Sequence, residues 1–228
     1  MEEGKYPWIV QMSMGCTGAL IDSTHVLTAA HCFLGSKYYV EKPKRADAAN
    51  ITVSLGTNIN IFCRSSPPYC YPAVVANVSD YTLHPTWETL DLLGADIAVV
   101  TLSSPVQYSD KVKPICLPSN PGQNYVGKVA VASGFGVDKH HQLQDNLMET
   151  NVTVISEKDC FNNVKDEMTG GASKWNMSIP EEDVRKILKT KICTKGRPIN
   201  NNPDWTTGTR EGDSGSSLNF EEHQRFQM

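Results

Sequence analysis

Three features of the sequence predict an all-β fold, either a barrel or a sandwich, in an oxidising compartment. Short β-rich runs recur between turn residues. No apolar run approaches the roughly 18 residues of a membrane span. Seven cysteines occur without a C-x-x-C pair, so disulfides fit them better than a zinc knuckle. The length of 228 residues allows one large domain or two small ones, and 39% hydrophobic residues suffice for a packed core.

Taken in order, the runs Trp8-Ile-Val-Gln-Met12, Ile51-Thr-Val-Ser-Leu55, Ile97-Ala-Val-Val-Thr-Leu102 and Lys128-Val-Ala-Val-Ala132 read as strands, rich in branched residues that fit a pleated surface. Two stretches read as helix. In Ser156-Glu-Lys-Asp-Cys160, Ser156 can cap and Asp159 sits in the first turn. In Ser178–Lys189, Ser178 and Glu181 form a capping-box pattern and Pro180 is tolerated in the first turn. Its apolar stripe of Val184, Ile187 and Leu188 is narrow, which predicts a surface insertion rather than a partner-binding helix. The Pro- and Gly-rich stretch 114–122 is the expected linker between two halves, 1–112 and 123–228.

Charge and composition exclude several functions. A net charge of −4 argues against a nucleic-acid binder, which would carry a basic face. No metal site is expected: His140 and His141 are adjacent but lack further ligands. No cofactor and no membrane association are expected either. Four Asn-x-Ser/Thr sequons, at Asn50, Asn77, Asn151 and Asn176, are glycosylation candidates and join the cysteines in favouring a secreted, extracellular protein. The N-terminus has neither the basic nor the apolar region of a signal peptide, so the chain is expected to be a segment of a longer precursor.

Three segments carry chemistry: Val26-Leu-Thr-Ala-Ala-His31-Cys32, Asp96-Ile-Ala-Val-Val100 and Gly212-Asp-Ser214-Gly215. A nucleophilic serine needs a base, a group that fixes the imidazole tautomer, and backbone N–H donors for the oxyanion. His31, Asp96 and Ser214 supply the side chains in that order. Gly212 supplies a backbone position unobstructed by Cβ. Other serine-hydrolase plans fit worse. Ser216 stands where a nucleophile elbow needs its last glycine, and the sole histidine after Ser214 is His223.

These segments resemble the trypsin/chymotrypsin family of serine endopeptidases. Tyr6-Pro-Trp-Ile-Val-Gln11, Cys16-Thr-Gly-Ala-Leu-Ile-Asp22 and Leu27-Thr-Ala-Ala-His-Cys32 resemble its early blocks. Asp96–Leu102, Val112-Lys-Pro-Ile-Cys-Leu-Pro118, Gly134-Phe-Gly136 and Gly212-Asp-Ser-Gly-Ser-Ser-Leu218 follow in family order. The resemblance implies two six-stranded antiparallel β-barrels with the triad between them, and the second is expected to be incomplete because the sequence stops 14 residues after Ser214. It implies that Ser214 attacks the scissile carbonyl, His31 is the base and then the acid, and Asp96 orients His31. The N–H groups of Gly212 and Ser214 would form the oxyanion hole. Asp213 would pair with a newly cleaved N-terminal amine, as in a zymogen. The cysteines would pair as Cys16–Cys32, Cys63–Cys70 and Cys160–Cys193, with Cys116 left to bridge a pro-segment. A family bridge in the second barrel is missing on both sides, at Ala130 and Phe220.

The same resemblance implies protein or peptide substrates and protein inhibitors as partners. Gly208 stands where trypsin-like members carry a pocket aspartate, so an uncharged side chain is the expected preference. Arg210 replaces a usual pocket cysteine, and Ser216-Ser217 replace Gly-Pro. The family's Ile-Val-Gly-Gly and S-W-G segments are not in the sequence, and residues 1–228 alone are expected to be inactive. The alternative class is a non-catalytic protease homologue that binds partners through the same surface.

Overall fold

The computed structural model describes residues 4–33, 45–60, 74–90, 95–120, 122–138, 140–169, 179–199, 202–222 and 225–227. Six short antiparallel strands close into a barrel: β1 (Ile9–Met12), β2 (Thr17–Leu20), β3 (His25–Thr28), β4 (Thr52–Leu55), β5 (Val74–Leu83) and β6 (Ala98–Leu102). Their order around the ring is β1-β2-β3-β6-β5-β4. Closure removes every free strand edge, so strands of four or five residues suffice everywhere but in the ten-residue β5. The core is Val10, Met12, Leu20, Val26, Val53, Leu55 and Val100, all fully buried. Burial along β6 alternates as the pleat requires, with Ala98, Val100 and Leu102 inside.

The second half is a sheet left open. β7 (Val129–Gly134), β8 (Met148–Val154), β9 (Thr194–Gly196), β12 (Leu218–Glu222) and β13 (Arg225–Gln227) run in the order β13-β12-β7-β8-β9. β10 (Pro198–Ile199) and β11 (Asn202–Thr206) form a separate pair. The expected two-barrel, mostly β architecture with an incomplete second barrel is therefore what the chain adopts. Ala130 and Phe220, where the family bridge is missing, are instead packed with Val152 and Val154. Tyr125 stacks on Phe220 with ring centroids 4.3 Å apart. Apolar packing fills the place of that disulfide. Phe135 and Leu147 join the first barrel's core, and Val131 packs against it, so the halves share an apolar interface.

Among the described residues three α-helices interrupt the sheets: α1 (Pro85–Leu90), α2 (Glu157–Thr169) and α3 (Glu181–Leu188). α2 is longer than the expected Ser156–Cys160. Ser156 caps it as expected: its Oγ accepts the Asp159 N–H at 3.1 Å and donates to Asp159 Oδ2 at 2.6 Å. α3 begins at Glu181, with Pro180 rather than Ser178 as its N-cap. Pro180 offers no side-chain acceptor; its carbonyl takes the N–H groups of Asp183 and Val184. The capping partner Ser178 lies outside the described residues. The stripe of Val184, Ile187 and Leu188 is buried as expected. Val184 and Leu188 pack with Cys160 and Phe161, so α2 and α3 form a hairpin with a small core of its own.

Two expected disulfides are present, Cys16–Cys32 and Cys160–Cys193. Cys63 and Cys70 lie outside the described residues. Cys116 is an exposed free thiol. Among the described residues no helix is long and apolar enough to cross a membrane.

Candidate active site

His31 lies on a 3₁₀ turn (Ala30–Phe33) that directly follows β3 and is tied to β2 by the Cys16–Cys32 bridge. Asp96 precedes β6, the strand that pairs with β3. That pairing carries Asp96 to His31 across 65 residues of sequence. Both carboxylate oxygens engage the same residue. Asp96 Oδ2 lies 2.7 Å from His31 Nδ1, and Asp96 Oδ1 accepts the His31 backbone N–H at 2.9 Å. Burial alone would raise the Asp96 carboxyl, but the hydrogen bonds from His31 outweigh it and hold the group below the usual aspartate value. With Nδ1–H directed at a carboxylate, the lone pair of the ring sits on Nε2, the nitrogen a proton acceptor needs.

Ser214 belongs to a loop of the second half that rests on β2. The Thr17 N–H donates to the Ser214 carbonyl at 2.8 Å, and Thr17 Oγ1 donates to the Gly212 carbonyl at 2.9 Å. Thr28 Oγ1 in turn donates to the Thr17 carbonyl at 2.8 Å. The loop turns at Gly212, whose φ of +92° lies in the left-handed region that favours glycine. The N–H groups of Gly212 and Ser214 have no acceptor among the described residues, and no hydrogen bond joins Ser214 Oγ to His31. Catalytic contacts of this kind often tighten only once substrate is bound.

Asp213 is held by backbone. Its Oδ1 accepts the Gly136 N–H at 2.8 Å and its Oδ2 accepts the Arg210 N–H at 2.9 Å. The carboxylate packs so closely on the Gly134-Phe-Gly136 turn that a Cβ on Gly136 would stand 2.6 Å from Asp213 Cγ. These amides occupy the carboxylate that the resemblance assigns to an N-terminal amine; residues 1–3 lie outside the described residues.

Two cavities flank the loop that leads to Ser214. One, of about 450 Å³, is lined by Arg210, Glu211, Ser214 and Ser216. The other, of about 270 Å³, is lined by Gly134, Gly136, Glu149, Gly208 and Asp213. Gly208 thus borders the cavity away from Ser214. Sequence reasoning missed Thr17, and it missed the anchor formed by Tyr6 and Lys5. Tyr6 OH donates to Glu149, and Lys5 Nζ lies 2.7 Å from Glu149 Oε1, fastening the N-terminal stretch to β8. Thr17 and Tyr6 fall inside segments that resemble family blocks, but nothing local signals their distant partners. The one His/Cys/Asp/Glu grouping of metal-binding size among the described residues is Cys16, His31 and Cys32, and the disulfide uses both thiols.

A closed six-stranded antiparallel barrel beside a second, open sheet, with a His–Asp pair on one and a Gly-Asp-Ser-Gly loop on the other, defines the trypsin-like serine protease fold. A family model described as Trypsin matches residues 1–225, and the chain belongs to that family. It is 25% identical over 224 residues to ovochymase-2 of Mus musculus, covering 96% of this chain and 31% of that protein. It is 30% identical over 169 residues to phenoloxidase-activating factor 3 of Holotrichia diomphalia, covering 69% of this chain and 46% of that protein. The chain spans less than half the length of either relative.

Proposed function

We propose that the protein containing this chain is a secreted serine endopeptidase acting on proteins or peptides through His31, Asp96 and Ser214. The observation that carries the reading is the doubly hydrogen-bonded His31–Asp96 pair. It fixes the imidazole in the tautomer that can take a proton from a serine hydroxyl. Ser214 Oγ attacks the scissile carbonyl while His31 Nε2 accepts its proton. The imidazolium is stabilised by Asp96 and returns the proton to the leaving amine, and water then hydrolyses the acyl-enzyme by the same route. The N–H groups of Gly212 and Ser214 receive the oxyanion; one such donor is worth about 2.7–4 kcal/mol of barrier.

Asp213 acts as the activation partner: capture of a new N-terminal ammonium would draw its carboxylate from the Gly136 and Arg210 amides and reset the loop. The free, exposed Cys116 suits a bridge to a pro-segment, and protein inhibitors would compete with substrate at Ser214. Gly208 brings no carboxylate, in keeping with cleavage after uncharged side chains; a profile dominated by Arg or Lys would contradict that assignment. The test of catalysis is labelling of the activated full-length protein with a fluorophosphonate. Labelling that disappears in Ser214→Ala supports the reading, and labelling that persists in that variant refutes it.

The missing hydrogen bond between Ser214 Oγ and His31 favours a second reading, a non-catalytic homologue that binds partners through the same cleft. An activated protein that binds a protein inhibitor yet never labels would select it.

A further inference from the structure

The fold treats the sequons unequally. Asn77 is exposed on β5, where alternation turns Val75, Asn77 and Ser79 outward. Val75, on the same wall, is 60% exposed. Asn77 pairs across the strands with Thr52, the hydroxyl residue of the sequon Asn50-Ile51-Thr52. Asn50 is itself exposed, at the end of a 3₁₀ turn capped by Asp47. Two sequons therefore share the β4–β5 wall of the barrel. Neither asparagine amide is engaged by another described residue.

Asn151 is placed differently. It lies on β8, opposite Val131 of β7 and directly before the residues Val152–Val154 that pair with β9, and is half-buried. Its face also carries Glu149, which is fastened to Lys5 and Tyr6. Its cross-strand partner Val131 packs against the core of the first barrel. A branched sugar at Asn151 would have to lie where the two halves meet.

We propose that Asn50 and Asn77 carry N-linked glycans and that Asn151 does not. This rests on the secreted reading above. In the modification, a lipid-diphosphate oligosaccharide is the donor. The asparagine amide nitrogen forms a bond to the sugar C1, the bond from C1 to the diphosphate oxygen breaks, and the amide gives up one proton. Transfer happens on the unfolded chain, so the fold acts as the filter: a glycan survives only where the finished molecule has solvent for it. In the ring order β1-β2-β3-β6-β5-β4, β5 lies across the barrel from β2, the strand whose Thr17 holds the Ser214 loop. The glycans therefore cover Val75 and the β4–β5 wall, and leave the candidate cleft open.

The full chain, sent into the secretory pathway of a eukaryotic host with an added leader, is recovered folded from the medium. It is then treated with a peptide-N-glycosidase in heavy-oxygen water. Each glycosylated asparagine becomes a heavy-labelled aspartate. The expected map has label at positions 50 and 77 and unlabelled asparagine at 151. Label at 151, or unlabelled asparagine at 50 or 77, overturns the inference. The map does not depend on hydrolysis. A chain that shows it yet never reacts with a fluorophosphonate would fail as a peptidase while this assignment stands.

Discussion

Asp96 spends both carboxylate oxygens on one histidine, one on the ring and one on the backbone N–H. Asp96→Asn should keep much of that geometry but present an amide where Nδ1–H needs an anion, favouring the wrong tautomer. The rate of fluorophosphonate labelling should fall about 10⁴-fold, as when the equivalent change is made in other triads. Gly136 offers a second test. Its Cβ would stand 2.6 Å from Asp213 Cγ, so Gly136→Ala must displace the carboxylate and with it the neighbouring Ser214. A shift of roughly an ångström there costs about 10² in rate. Labelling should drop by that order while thermal unfolding of the first barrel changes little. The three candidate catalytic side chains were legible because each is embedded in a distinctive local string. Thr17 was not, because its hydroxyl bonds a carbonyl 195 residues further on and no local pattern encodes such a partner.

Among the elements, the α2–α3 hairpin is held by a four-residue apolar core and by Cys160–Cys193, which closes a separation of 33 residues. A loop of that length is worth about 3–4 kcal/mol when cross-linked. Replacing both cysteines by serine should lower the apparent Tm and reduce helical ellipticity before sheet signal is lost, as read by far-ultraviolet circular dichroism. The ion pairs Arg185–Glu181 and Lys186–Glu182 are solvent-exposed i,i+4 pairs, so breaking either should leave the Tm nearly unchanged. The helix α3 was legible from its apolar stripe. The length of α2 was not: Asn162, Asn163 and Lys165 give no periodic signal. α1 was missed for a similar reason. Its six residues are too few for an amphipathic pattern, and the structure around His84 sets it in place.

Across the molecule, Asp22, Asp96, Asp138 and Glu149 are all held below their ordinary values. Burial opposes this at Asp22, Asp96 and Glu149, and hydrogen bonds from neighbouring groups prevail; at Asp138 the backbone N–H of Gln142 leads. Depressed carboxyls contribute stability that is complete above the ordinary values of 3.8 for aspartate and 4.5 for glutamate. That contribution is lost as pH falls through the lower folded values. Stability measured by denaturant titration should therefore decline on acidification below about pH 4.5 and show no matching decline from these groups between pH 6 and 8. Of the architecture, the strands were legible from their branched residues and the turn residues between them. The incomplete second barrel was expected too; the strand order β13-β12-β7-β8-β9 was not legible, because it follows from pairing over long sequence separations that alternation within a strand cannot report.

The bonds from Thr17 to Gly212 and Ser214 have a further consequence for how the molecule fails. The loop carrying the candidate nucleophile owes its register to a strand of the opposite half, and that half is a sealed barrel while its own sheet is open. Local opening of the weaker half is therefore enough to uncouple Ser214 from His31 without melting the barrel. Ser214 becomes a reporter of docking rather than of folding. In a denaturant series, loss of fluorophosphonate reactivity should come at lower concentration than loss of amide-exchange protection in β1–β6. Coincident midpoints for the two signals would mean that the halves open as one unit.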